Sequence, residues 1–250
     1  MDTSTRQVSL MARSYIYRVL SASFLCPNQE YLTFLTQEAE AHWLREAFAI
    51  LTNEAHKDPW DALKAFEGEM AKAKELSAME SEYGHLFTHT MAKECPAYET
   101  QYGAGHIFQQ TQELADIAGF YTAFGLEVSD QAKERADHIS VELEFMSFLA
   151  HKEAYALEHH GEEKATLCRE AQAKFLQDHL GRWAPLFATL LARKAGDGFY
   201  RALARFSEVY LALDATGLGI QPQAYGDVQV SDLEPESGCF SCPEIEPLEC

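Results

Sequence analysis

The sequence predicts an all-α fold, a globular helical bundle, and three observations carry that prediction. Apolar residues recur at three- and four-residue steps in segment after segment, the spacing that gathers them on one face of a helix. Runs of alternating β-branched residues, the mark of half-buried strands, do not stand out anywhere. No heptad pattern persists, which separates a globular bundle from a coiled coil.

Val8, Met11, Tyr15, Val19 and Ala22 form the apolar face of a first helix, which Pro27-Asn28 stops. A second helix starts near Gln29 and carries Leu32, Leu35 and Ala39. A third starts after Asp58, placed as N-cap with Pro59 at the first helical position, and runs through Leu63, Phe66 and Met70. Residues 80–87 are helical in character, with Tyr83 and Phe87 on one face. Pro96 breaks the pattern, and 100–105, with Gly103 and Gly105, read as a loop. Gln109 to Phe124 is a helix with Leu114, Ile117, Ala118 and Tyr121 on one side and Gly125 as its C-terminal cap.

A long helix is expected from about Gln131 to His159, with Ile139, Leu143, Met146 and Ala150 as its buried stripe and Gly161 after its end. Glu162 to Leu180 continues as a helix that closes at Gly181, and Trp183–Ala195 and Gly198–Ala215 complete the set. Beyond Thr216 the composition shifts to Gly, Pro, Gln and acids. The chain is therefore divided into an all-helical domain, 1–216, and an irregular, acidic, cysteine-bearing tail, 217–250. No internal repeat is visible.

With 39 acidic against 20 basic residues the formal charge is −19, and the last basic residue is Arg205. Such a field repels nucleic acid, which proteins grip by setting Lys and Arg against phosphates, and attracts a basic partner. No apolar run approaches the roughly 18 residues of a membrane span. The first residues lack the basic and apolar regions of a signal peptide, so a cytoplasmic location is expected. Phosphate-binding loops, dinucleotide fingerprints and a recognisable nucleophilic triad are all missing, which argues against an enzyme.

Three groups of residues carry chemistry. Tyr83, Leu86 and Phe87 read either as core packing or as the lining of a groove for a partner peptide. Cys95-Pro96-Ala97-Tyr98-Glu99-Thr100 is a rigid irregular segment, in which Tyr98 offers a ring and a hydroxyl and Glu99 a charge for an arginine. Asp137 either caps the long helix or lies in its first turn, and His138 titrates near neutral pH. Glu134 and Glu142 flank that histidine at four-residue steps, giving an acidic face if the helix is continuous. The plain reading is a capped helix with a satisfied histidine; the functional one is a polar anchor for a basic peptide.

These blocks resemble the TorD/DmsD family, chaperones that help mature molybdenum-containing redox enzymes. The family pattern is Glu-Tyr-x-x-Leu-Phe, a Pro-aromatic-Glu-Ser/Thr segment, then Asp-His followed by Glu-Leu-x-Phe-Met. Here those blocks read Glu82-Tyr83-Gly84-His85-Leu86-Phe87, Pro96-Ala97-Tyr98-Glu99-Thr100, Asp137-His138 and Glu142-Leu143-Glu144-Phe145-Met146. Two family prolines are replaced, by Ala97 and Ala136. The resemblance implies a TorD-like helical bundle without catalytic residues, acting in the cytoplasm. Its partner would be the apo catalytic subunit of a molybdoenzyme, with its twin-arginine signal peptide, held until molybdopterin guanine dinucleotide is inserted. The client-binding residues it implies are Tyr83, Phe87, Tyr98, Glu99, Asp137, His138 and Glu142, in a monomer or homodimer. No cofactor of its own is required, beyond transient contact with that cofactor or a nucleotide.

The tail supports an alternative. Cys239 and Cys242 form a Cys-x-x-Cys, and with Cys250 they could bind zinc or an iron–sulfur cluster in a redox accessory protein, given a fourth ligand such as Cys95.

Overall fold

A computed structural model describes residues 2–52, 57–87, 94–103, 107–129 and 134–226. Among them every regular element is helical, and the one pairing of extended backbone is an isolated antiparallel bridge between Tyr98 and His138. The helices are α1 (Thr3–Ser23), α2 (Gln29–Leu35), α3 (Glu38–Leu51), α4 (Lys57–Met70) and α5 (Leu76–Phe87), then α6 (Ile107–Ala123), α7 (Ile139–His159), α8 (Glu162–Phe175), α9 (Gly181–Lys194) and α10 (Phe199–Leu218). None is long and apolar enough to cross a membrane.

α1 is the spine: it packs against α7 on one side and α3 on the other, while α10 packs against α9 and α4. Asp2 starts α1 by accepting the backbone N–H of Thr5 at 2.7 Å. The buried face is Ile16, Tyr17, Val19 and Leu20, whereas Val8 and Met11 of the expected face are 49% and 44% exposed. The expectation failed because polar residues occupy part of the inward face. Arg13 is buried in a bidentate pair with Asp214 of α10, at 2.6 and 2.9 Å, and Tyr17 donates its hydroxyl to the same carboxylate at 2.7 Å. Ser14 meets Ser147 of α7. Apolar periodicity cannot see residues that are buried by pairing.

Three boundaries differ from the sequence expectation. The helix expected through Ala39 breaks after Leu35, and Ala39 belongs to α3. α4 includes Lys57, so Asp58 and Pro59 lie in its first turn, where a missing N–H costs nothing, and Asp58 is not its cap. Gly181 does not end a helix: a π-helical turn, Leu176–Leu180, carries α8 into α9, and Gly181 has helical φ −73°. Its role is close approach. A Cβ there would lie 2.3 Å from the Leu176 carbonyl oxygen and 2.6 Å from Pro222 Cγ.

α10 runs to Leu218, and Gly219 at φ +73° turns the chain out of it. Residues 220–226 then return along the body. The Tyr225 amide donates to the Arg182 carbonyl at 2.8 Å, and the Arg182 guanidinium sits 4.8 Å over the Tyr225 ring. Helix and docked strap thus carry structure past the expected boundary at 216. Cys239, Cys242 and Cys250 lie outside the described residues.

Candidate functional site

The two motif loops meet. Pro96–Tyr102 and Glu134–His138 come together through the Tyr98–His138 bridge, with the Glu99 amide donating to Asp137 O and the Ile139 amide to Ala97 O, both at 2.9 Å. α7 therefore begins at Ile139 and not near Gln131; residues 130–133 lie outside the described part. No Gly or Pro stands between 134 and 138 to announce the break. His138 is the N-cap, with Nδ1 accepting from the Ser140 amide at 3.2 Å and lying 2.6 Å from the Ser140 hydroxyl. Those contacts place the ring proton on Nε2. Burial lowers the His138 pKa, against the pull of Glu134 and Asp137, so the imidazole stays neutral.

Asp137 caps the other loop. Its carboxylate accepts the Thr100 hydroxyl at 2.7 Å, the Thr100 amide at 3.3 Å and Arg135 Nη2 at 2.8 Å. Tyr121 of α6 ties the same turn by donating to Ala136 O at 2.7 Å.

Beneath the bridge runs a line of buried polar groups. Trp183 Nε1 donates to Glu142 Oε2 at 3.0 Å. Glu142 is fully buried, and desolvation followed by repulsion from Glu99 pushes its pKa well above 4.5, which favours its protonated form. Glu99 Oε2 and Glu142 Oε1 are both buried without a hydrogen-bond partner, and a proton on Glu142 would let one carboxyl donate to the other. The other Glu99 oxygen meets His179 Nδ1 at 3.1 Å, and His179 Nε2 lies 3.3 Å from Asp116, in ion-pair range though without hydrogen-bond alignment. Burial works against charge on His179, but Glu99 and then Asp116 outweigh it and raise its pKa. The line runs Asp116, His179, Glu99, Glu142, Trp183, and it links α6, the π turn, the loop, α7 and α9 to one another.

Glu142→Gln tests this arrangement, because glutamine mimics the protonated acid. An acid whose folded pKa is raised contributes stability that is fully present below its unfolded pKa and is lost as pH rises through the folded pKa. The variant is expected to have a higher urea midpoint than wild type at pH 8, a smaller difference at pH 5, and a flatter profile between them. Parallel profiles would place the proton elsewhere.

The predicted residues thus divide. Tyr83 is buried, 4.8 Å from the Phe87 ring and 6.2 Å from Tyr200, and Phe87 packs on Tyr200 at 5.5 Å; both serve the core joining α5 to α10. Glu99, Asp137, His138 and Glu142 are brought together but buried, so they shape the surface rather than form it. The acidic face expected around His138 does not exist: Glu142 points into the core, and Glu134 accepts the Tyr98 hydroxyl at 2.7 Å. Half-buried Tyr98 remains at the surface, with the half-exposed Arg135 guanidinium 5.1 Å over its ring. Arg135, His179, Trp183 and Asp116 were not anticipated. Arg135, two residues before Asp137, could have been found by charge pairing; His179 sits between Leu176 and Leu180 with no local signal.

Cys95, named as a fourth metal ligand, is in the core with its thiol directed at Phe187 O and its pKa pushed up to about 12 by burial. Among the described residues no three His, Cys, Asp or Glu are arranged to hold a metal ion.

Both loops and the buried line fall inside residues 51–189, which match the protein family described as nitrate reductase delta subunit and make up more than half of the chain. The chain belongs to this family. It is the TorD/DmsD family whose motifs the sequence resembles. Relatives include the perchlorate reductase assembly chaperone protein of Dechloromonas aromatica, 29% identical over 153 residues that cover 58% of this chain and 66% of that one. Chaperone protein TorD of Photobacterium profundum is 27% identical over 214 residues, 76% of this chain and 98% of its own length. A TorD chaperone of Vibrio cholerae is 31% identical over 110 residues, 44% of this chain and 46% of that one. The family match takes in α4 to most of α9 and leaves out α1, α2 and nearly all of α3.

Proposed function

We propose that this chain is a cytoplasmic, non-enzymatic assembly chaperone that binds the apo catalytic subunit of a molybdenum-containing oxidoreductase, engaging its basic twin-arginine signal peptide. It holds that subunit until molybdopterin guanine dinucleotide, the client's cofactor, has been inserted. Family membership supports the reading, since relatives carry the names assembly chaperone and TorD. The observation that carries it is the surface above the buried line. Tyr98, Arg135 and Glu134 are presented on a loop pair fixed from below by charge-assisted hydrogen bonds, so little ordering entropy remains to be lost on binding. A charge of −19 favours the arrival of a basic segment.

The test is calorimetric titration with a synthetic twin-arginine signal peptide and, separately, with an apo catalytic subunit encoded beside this chain. Micromolar or tighter binding is expected. Tyr98→Ala should weaken it at least about tenfold, the loss of one aromatic anchor, with the helical circular dichroism unchanged. Absence of binding to either client would remove the proposal.

A further inference from the structure

A series of grooves begins where α1 and α3 run side by side. There Val8 and Met11 of α1 and Trp43 and Ile50 of α3 are 49%, 44%, 57% and 45% exposed. Residues three apart on one helix and seven apart on the other place all four around one furrow, a cavity of about 790 Å³. Single exposed apolar side chains are ordinary, but four around a furrow make a patch.

The furrow does not end at α1. Met11, Tyr15 and Arg18 form its wall and also the wall of a second cavity, about 440 Å³, reaching Glu144 and Phe148 of α7. Glu144 and Phe148 in turn line a third, about 270 Å³, with Tyr121, Val128 and Val141. That end abuts the motif loops, because Tyr121 is the residue that bonds Ala136 O. Shared wall residues set the three cavities side by side, a segmented trough that leads from α3, across α1 and α7, to Tyr121 at the foot of the 134–138 turn. Along α1 alone, Val8 to Arg18 spans about 15 Å, room for four or five residues of extended chain.

The rim is acidic. Glu40 and Glu46 stand on the α3 side, Glu144 midway and Glu127 at the far end. The nearby cations lie on aromatic rings: Arg18 is 5.2 Å from the Tyr15 and Phe34 centroids, and Lys152 is 5.2 Å from that of Phe148. An apolar floor with an acidic rim fits a segment that alternates leucine-like side chains with arginine or lysine.

We infer that this trough is the track along which the basic, apolar segment of the client lies, with its hydrophobic side chains against Met11, Trp43 and Phe148 and its cations against Glu46 and Glu144. The inference rests on the chaperone reading and extends it to α1 and α3, outside most of the stretch that defines the family.

Trp43 provides the readout. The probe is a synthetic peptide of about 20 residues, the length of an apolar helix segment, with an Arg-Arg pair followed by a leucine-rich run. Its binding should shift tryptophan emission to the blue in wild type and not in Trp43→Phe. By calorimetry, Met11→Glu/Trp43→Glu should weaken the peptide at least about tenfold, as two lost apolar anchors would. Glu46→Lys/Glu144→Lys should weaken it and flatten its salt dependence. All four positions are at the surface, and circular dichroism checks the fold of each variant. A peptide that wild type binds without an emission shift, and that Met11→Glu/Trp43→Glu binds equally well, would overturn the trough while leaving the chaperone reading standing. A peptide that wild type does not bind would strike that reading itself. If the apolar variant instead turns a wild-type dimer into a monomer with peptide affinity unchanged, a second copy occupies the trough and the inference falls.

Discussion

Replacing Arg13 with methionine is expected to lower the free energy of unfolding by about 3–5 kcal/mol, the typical loss when one partner of a buried ion pair is removed. Asp214 would be left buried opposite an apolar side chain, keeping only the Tyr17 hydroxyl. In a domain of this size the loss corresponds to a fall in Tm of roughly 6–20 °C. The double variant Arg13→Met/Asp214→Leu should recover at least half of the loss, because no charge is then stranded, although Tyr17 loses its acceptor. Urea unfolding of the two variants decides the point. A single-variant loss below about 1 kcal/mol, the range of exposed pairs, would mean that water reaches the carboxylate.

Gly181→Ala is the second large effect. The added methyl would sit 2.3 Å from a backbone oxygen of the π turn and within 3 Å of two carbons of Pro222, and backbone cannot yield as a flexible side chain can. The expected loss is about 1–3 kcal/mol, as for other overpacked sites, together with faster proteolysis between residues 219 and 226 as the strap lifts. Gly68→Ala in α4 is the control. Nothing lies within 4 Å of its added methyl, so the helix should gain about 0.5–1 kcal/mol. Equal effects at the two positions would show that the crowding at Gly181 relaxes freely.

These two positions also mark where sequence and structure part. Periodicity found most helices because stripes such as Ile139, Leu143, Met146 and Ala150 are apolar and buried. It misjudged the first turns of α1, where Val8 and Met11 are exposed while Arg13 and Ser14 are buried through partners over 130 residues away, which no local pattern records. It read Gly181 as punctuation, because a glycine needed for close approach looks the same in sequence as one needed for a turn. At the candidate site the motifs lie on the two segments that touch, but the sequence read 134–138 as helix and did not give the depth of the side chains. A Glu or His in the sequence reads as surface, whereas Glu142, Glu99 and His179 are inside, where Glu142 meets Trp183 and Glu99 meets His179. Trp43 and Met11 carry no motif at all, and their exposure follows from how α3 lies against α1.

The Arg13–Asp214 pair has a consequence for the order of events during synthesis. Its partners are 201 residues apart in the chain. At about 5–20 residues per second, α1 waits roughly 10–40 s on the ribosome before its counter-charge exists. Until α10 is made, burying the inward face of α1 would cost the desolvation of an unpaired guanidinium, a penalty that the arrival of Asp214 offsets.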